Sequence, residues 1–328
     1  MQRSSSFPLV AVLGLVGALV GTPASAQPAA PAASATKPFE FVVIFPAGSS
    51  ADVSARLLAE GMAQHLGVPV PVSNKPGAGG AIGYKYVAAA RPDGHTLVWN
   101  SNSVSTTYHS GAMDIDYKAF EPVARVTVEN PAVVVQAASP WKTLADLLAH
   151  ARANPGTLKV GNSGSGSHTH FAAISLFEAA GGKSLDVPFG AAQVVPALMG
   201  GHVDAVVQLP AAVAPNVASG SLRVLAVLGS ARDPLFPDAP TAQEAGLRMP
   251  TMDLWRGIAV PKGTPQPVIA RLEKAVEAAL ARPEFASAGR KFGFVPAFLP
   301  AAEFGQVIAR EDQFLGRQMQ TLGLAKVR

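Results

Sequence analysis

The sequence contains no cysteine in its 328 residues. Disulfides, thiolate nucleophiles, zinc–cysteine sites and iron–sulfur clusters are therefore excluded together. Charge is scarce as well: Asp, Glu, Lys and Arg make up 15% of the chain. Typical globular proteins carry about 25%. Lys and Arg number 26 and Asp and Glu 22, for a net charge of +4 with no basic stripe. A nucleic-acid partner is not expected from such a surface. Long apolar runs are missing beyond the first twenty residues, so no later segment reads as a membrane span. What is abundant is apolar residue, at 48%. That content excludes global disorder, and the length accommodates two domains.

Residues 1–26 read as a secretory signal peptide. Arg3 supplies the positive start, residues 8–20 (PLVAVLGLVGALV) the apolar stretch, and Ala24-Ser25-Ala26 the cleavage site. The apolar stretch is too short to span a bilayer, which needs about 20 residues. The mature chain is expected to begin at Gln27, in the periplasm. Residues 27–37 form a Pro/Ala/Ser spacer.

From residue 38, short apolar runs alternate with helical periods. Strands are expected at 41–45, 68–72 and 96–99. Helices are expected between them, with Val53, Leu57, Leu58, Met62 and Leu66 on one face of the first. Pro69 and Pro71 would place the second strand at an edge. A second unit, 129–248, repeats the order with strands at 132–136, 158–161, 205–208 and 222–228. A further strand is expected at 257–260, followed by a helix capped by Thr264 with Pro265 at its first position. The fold class is α/β, in two lobes, each a mostly parallel sheet flanked by helices.

Ligands in such sheets bind beyond the carboxyl ends of the strands. After the first strand come Pro46, Ala47, Gly48, Ser49, Ser50 and Asp52. Glycine lets backbone N–H groups approach an anion, and a serine can cap the helix. Asp52 pointing inward would oppose an anion; pointing outward it would favour the helix dipole. After the 158–161 strand come Ser163, Gly164, Ser165, Gly166, Ser167 and His168, a second anion cradle. This loop is not a P-loop. It also fails the hydrolase elbow, because Ser165 stands where the last glycine belongs. Gly77 and Gly79 begin a dinucleotide fingerprint, but Ile82 ends it. His168 and His170 at a helix start point about 200° apart, so a metal pair is not expected. One of them could instead donate to a carboxylate. Asn100 and Ser101, Phe189 and Gly190, Gln208, and Trp255-Arg256 occupy comparable strand ends. No metal, no cofactor and no catalytic residue is assigned.

These segments together resemble the tripartite tricarboxylate receptor family, the Bug receptors. Residues 45–52 (FPAGSSAD) with Arg56 resemble the family's first loop and helix. Residues 74–83 (NKPGAGGAIG) are similar to a very specific signature of the family. So are 91–97 (RPDGHTL), 187–190 (VPFG), 200–204 (GGHVD), 237–246 (PDAPTAQEAG) and 261–265 (PKGTP). The resemblance implies a Venus-flytrap fold, with lobe 1 built from 38–128 plus 249–328 and lobe 2 from 129–248. It implies a monomeric, non-enzymatic receptor for a small mono- or dicarboxylate, held by Ala47, Gly48, Ser49, Ser50 and by Gly164, Ser165, Gly166, Ser167, His168. It implies delivery to a membrane permease pair; a sensor role toward a signalling partner shares the same cleft. Ser49, Ala47, Gln208 and Arg256 depart from the family's usual residues. An inward Arg256 would favour a second anionic group, and an outward one would be solvated at the hinge.

Overall fold

The computed structural model describes residues 37–189 and 192–326. The expected signal peptide and cleavage site, and the candidate Gly190, lie outside them.

The chain begins with β1 (Glu40–Val43), α1 (Ser50–Leu66), β2 (Val72–Asn74), α2 (Ala81–Ala88), β3 (Thr96–Ser101) and α3 (Ser103–His109). Strand β4 (Phe120–Glu129) then leads through Asn130 and Pro131 into β5 (Ala132–Gln136). The second unit continues with α4 (Leu144–Ala153), β6 (Lys159–Asn162), α5 (His168–Ala179), β7 (Leu185–Pro188) and α6 (Val194–Met199). It closes with β8 (Ala205–Gln208), α7 (Pro210–Ala218) and β9 (Leu222–Val227). The return strand is β10 (Leu254–Pro261). Helices α8 (Gln266–Leu280) and α9 (Pro283–Phe292), strand β11 (Val295–Pro300) and helix α10 (Ala301–Thr321) complete the fold.

Two sheets result, in strand orders β11-β4-β10-β3-β1-β2 and β7-β6-β8-β5-β9. Both belong to one compact unit. The expected two-lobed α/β architecture is present, and each sheet is mixed in direction. β1, β2 and β3 are parallel, as are β6, β7 and β8. β10 runs antiparallel to β3 and β4, and β5 runs antiparallel to β8 and β9. The reason is topological. β4 ends at the crossing, whereas β5 and β10 begin there, so each starts where its neighbours finish.

Apolar runs form the central strands because both sheet faces are covered. Phe41 and Val43 of β1 pack beneath α1 and α8, with Leu58, Met62, Leu272 and Val276. Val42 packs on the other face with Tyr84, Val98 and Phe304. Val133 and Val135 of β5 meet α4 and α5, and Val134 meets α6 and α7. The last helix joins the two cores. Phe304 and Ile308 bury on the first sheet, while Leu315 and Met319 bury in the second sheet's core.

Four details differ from the sequence reading. The strand expected at 68–72 begins at Val72, at the sheet edge. Pro69 and Pro71 have no N–H and offer only carbonyls, to Phe39 and Phe41. Thr264 does not cap α8; its hydroxyl donates to Pro261 O at 2.7 Å and the helix starts after Pro265. Trp255 and Arg256 lie inside β10 rather than before it. Strand β4 was not anticipated, because Glu121, Pro122 and Arg125 break its apolar pattern.

Candidate functional site

A cavity of about 640 Å³ opens between the sheets. Its walls are the segments that follow β1, β3, β6 and β8, where open α/β sheets bind ligands. A larger hollow of about 780 Å³ sits at the opposite end of the second sheet, where β5 ends and β9 begins. None of the strand-end loops singled out above reaches it.

The first loop is built around Asp52. Its buried carboxylate accepts from Gly48 N–H at 2.9 Å, Arg56 Nε at 3.0 Å and Asn74 Nδ2 at 2.8 Å. Burial alone would push this carboxyl up. The bonds from Arg56, Gly48 and Asn74 outweigh that and hold it below the usual range. Asp52 therefore organises the loop and occupies the Gly48 N–H. Ser49 caps α1, accepting from Asp52 N–H, and it lines the cavity. Ala47, Gly48 and Asp52 do not line it, and Ser50 opens α1.

The second-lobe loop is also largely self-satisfied. Ser163 N–H donates to Thr169 Oγ1, Gly164 N–H to Asn162 Oδ1, and Gly166 N–H to His170 Nδ1. Gly164 and Gly166 sit at φ +117° and +75°, which side chains with a Cβ disfavour. Ser167 caps α5 through His170 N–H at 3.2 Å. The N–H groups of His168 and Thr169 start the helix with no partner among the described residues. With the Ser165 and Ser167 hydroxyls nearby, these donors can receive an anion at the positive helix end.

His168 lines the cavity with both ring nitrogens occupied. Met252 O can only accept, so Nε2 carries the proton and donates to it at 2.6 Å. Nδ1 then accepts from Asn102 Nδ2 at 2.5 Å. Burial pushes the imidazole down to about 4, so it is neutral at pH 7. Asn102 also donates to Glu311 Oε1 at 3.3 Å, and Trp255 Nε1 donates to Glu311 Oε2. Burial pushes Glu311 up to about 7. A single polar chain thus joins α5, the segment before α3, β10 and α10.

Arg256 and Glu129, from β10 and β4 of the first sheet, and Gln208, at the end of β8 beside the cradle, also line the cavity and are only 5%, 2% and 2% exposed. Arg256 Nε donates to Glu129 Oε1 at 2.6 Å, and the guanidinium lies 4.9 Å from the Phe45 ring centre. Gln208 Oε1 accepts from Leu209 N–H at 2.7 Å and Ser163 Oγ at 3.1 Å. A backbone N–H cannot accept, so the amide orientation is fixed. Gln208 Nε2, Arg256 Nη1 and Glu129 Oε2 are buried without a partner in the described protein. Native structures leave few such atoms unsatisfied.

The cavity thus gathers Ser49, Ser101, Ser165, Gly166, Ser167, His168, Gln208 and Arg256. Asn100 turns away and accepts from Tyr84 OH at 2.9 Å, because strand neighbours face opposite sides. Gly164 and Phe189 stand behind the lining; Phe189 N–H donates to Asn162 O. The sequence reading did not single out Glu129 or Thr107. A carboxylate closing the Val126-Thr127-Val128 run was the signal available for Glu129. No serine hydroxyl contacts the imidazole ring of His168 or His170 among the described bonds, and no group of three metal-ligating side chains occurs among the described residues.

The sequence profile described as "Tripartite tricarboxylate transporter family receptor" matches residues 54–324. Protein BugT of Bordetella pertussis is 32% identical, over 93% of this chain and 92% of its own length. A TctC solute-binding protein from Polaromonas superposes with a TM-score of 0.77 at 32% identity, covering 87% of this chain and 98% of that one. The R. palustris protein Rpa4515 with adipate gives 0.76 at 27% identity, covering 88% and 98%. With its two mixed sheets, its cavity at their strand ends and this match over most of its length, the chain belongs to the tripartite tricarboxylate transporter receptor family.

Proposed function

We propose that this protein is an exported receptor that captures a small carboxylate in the cavity between the sheets and hands it to a membrane permease pair. The observation that carries the reading is the donor set. His168 and Thr169, whose N–H groups have no partner among the described residues, serines, and Gln208 and Arg256, each with a buried unpartnered donor, line one cavity. Such a site binds an anion without performing chemistry on it. Adipate in the R. palustris neighbour supports a carboxylate as the ligand class. The family description, which names a transporter, supports uptake over signalling.

In this reading, residues 1–26 are removed after Ala26 and the mature chain works in the periplasm as a monomer. Lobe 1 is 38–128 plus 249–328, lobe 2 is 129–248, and α10 reaches from one to the other. The carboxylate docks on the α5 cradle, with Ser49 and Ser101 completing its contacts from lobe 1. The lobes hinge at the β4–β5 and β10 crossings, and closure is driven by contacts that exist only when shut.

The test is a thermal-shift screen of ligand-stripped protein against mono-, di- and tricarboxylates, aromatic acids and acidic amino acids. A ligand at 100 times Kd adds about 2.7 kcal/mol and raises Tm by several degrees. No shift with any carboxylate at millimolar concentration would refute the reading.

A further inference from the structure

Away from the α5 N-terminus, the cavity lining carries a combination of unmet atoms. Two are donors, Arg256 Nη1 and Gln208 Nε2, and one is an acceptor, Glu129 Oε2. Arg256 Nε and Glu129 Oε1 are joined at 2.6 Å, so the unmet Nη1 and Oε2 belong to one ion pair. They are the only charged side chains lining the cavity among the described residues. His168 is neutral, so the cavity has no net formal charge.

A free arginine here would recruit a second carboxylate. This arginine is already compensated by Glu129. A second carboxylate would satisfy the two donors, but it would set an anion against the buried Glu129 oxygen. Burying an uncompensated charge is far more costly than burying a hydrogen-bonded neutral group. A group that both donates and accepts matches both members of the pair: its oxygen accepts from Arg256 Nη1 or Gln208 Nε2, and its proton goes to Glu129 Oε2. The body between the two ends would lie against Phe45, Leu209, Ala211, Ala212 and Leu254.

We infer that the cavity selects a monocarboxylate whose far end carries an uncharged hydroxyl or amide, and that the Arg256–Glu129 pair discriminates against a second carboxylate. This inference rests on the carboxylate-receptor reading above and names the ligand class within it.

The experiment is calorimetric titration of the ligand-stripped mature protein at pH 7.5. Three series with chains of about four to seven carbons are compared: α,ω-diacids, the matching ω-hydroxy and ω-amide acids, and plain alkanoates. The expected result is that the best ω-hydroxy or ω-amide acid binds at least about tenfold tighter than the diacid and the alkanoate of its own length. Diacid binding equal to or tighter than its ω-hydroxy and ω-amide counterparts overturns the inference and leaves the carboxylate reading standing. No binding in any series, with no shift in the broader acid screen, overturns both. In Glu129→Gln the arginine loses its counter-charge and the diacid is expected to gain at least tenfold on the hydroxy acid. An unchanged ratio in the folded variant counts against the inference; if that variant does not fold, the wild-type ratio alone decides.

Discussion

At the scale of single residues, the Arg256–Glu129 pair has consequences for stability as well as for binding. Both side chains are buried and each has one partner in the other. Replacing Arg256 by Met leaves a buried carboxylate without compensation. Urea unfolding of Arg256→Met should show a loss of about 3–5 kcal/mol. The double variant Glu129→Gln/Arg256→Met should recover most of it, since no charge is then left unpaired. A single variant within about 1 kcal/mol of wild type would contradict the assignment. Ser167 offers the complementary case. Asp caps helices as well as Ser does, so Ser167→Asp should keep its Tm within about 2 °C of wild type. It places a negative charge beside the free N–H groups of α5 and should weaken carboxylate binding at least about a hundredfold.

At the scale of elements, α10 is the unexpected member. Its Glu311 meets Trp255 of β10 and Asn102 before α3, and through Asn102 it reaches His168 of α5. Burial raises Glu311 to about 7, with Asp253 and Asp312 adding to it and the bonds from Trp255 and Asn102 opposing it. In the unfolded chain this carboxyl returns to about 4.5. The folded protein thus holds a proton that the unfolded chain has released. The stabilisation is complete below pH 4.5 and is lost as pH rises through about 7. His168 has the opposite sign. Burial lowers it to about 4, so its contribution is present above 6.5 and is lost as pH falls through about 4. Between these limits the two slopes oppose. Glu311→Gln removes one slope and keeps the other. Its Tm relative to wild type should rise by about 5 °C between pH 5 and pH 8. A constant offset across that range would contradict the placement of Glu311.

A second element-level feature is the meeting of α9 and α7. Gly293 ends α9 at φ +74°, and a Cβ there would lie 2.7 Å from Ala211 N and 3.1 Å from Ala211 Cα. Backbone cannot yield as a flexible side chain does. Gly293→Ala carries left-handed strain of about 1 kcal/mol and also pushes the two helices apart at the cavity rim. Titration with a ligand of the wild type should show about a tenfold loss of affinity. Unchanged affinity would mean that the contact plays no part in closure.

At the scale of the whole molecule, the two-lobed α/β fold was legible in the sequence. Each βα unit carries its own apolar run, helical period and Gly/Pro punctuation, all of which are local. The motif run from Asn74 to Gly83 and its companions gave the family for the same reason. What was not legible was long-range. Sheet direction depends on where β4, β5 and β10 meet, not on their own residues. Asp52 stands in the first loop, yet Asn74, twenty-two residues on, and Arg56 decide that its carboxylate holds the loop together. Glu129 and Arg256 are 127 residues apart and become neighbours only when β10 pairs with β4. The cradle around Ser167 was readable because its parts are contiguous, and Gln208 and Arg256 were singled out at their strand ends; Glu129 was not, because it joins Arg256 only when β4 pairs with β10.

The central claim is that one carboxylate sits on the α5 cradle between the lobes. Calorimetric titration of ligand-stripped protein, with the acid giving the largest thermal shift, tests it most directly. The account predicts saturable binding at one site per chain in the wild type, and its loss in a Ser167→Asp variant of unchanged Tm. Equal affinity in the two proteins, or no binding by any carboxylate at millimolar concentration, would contradict it.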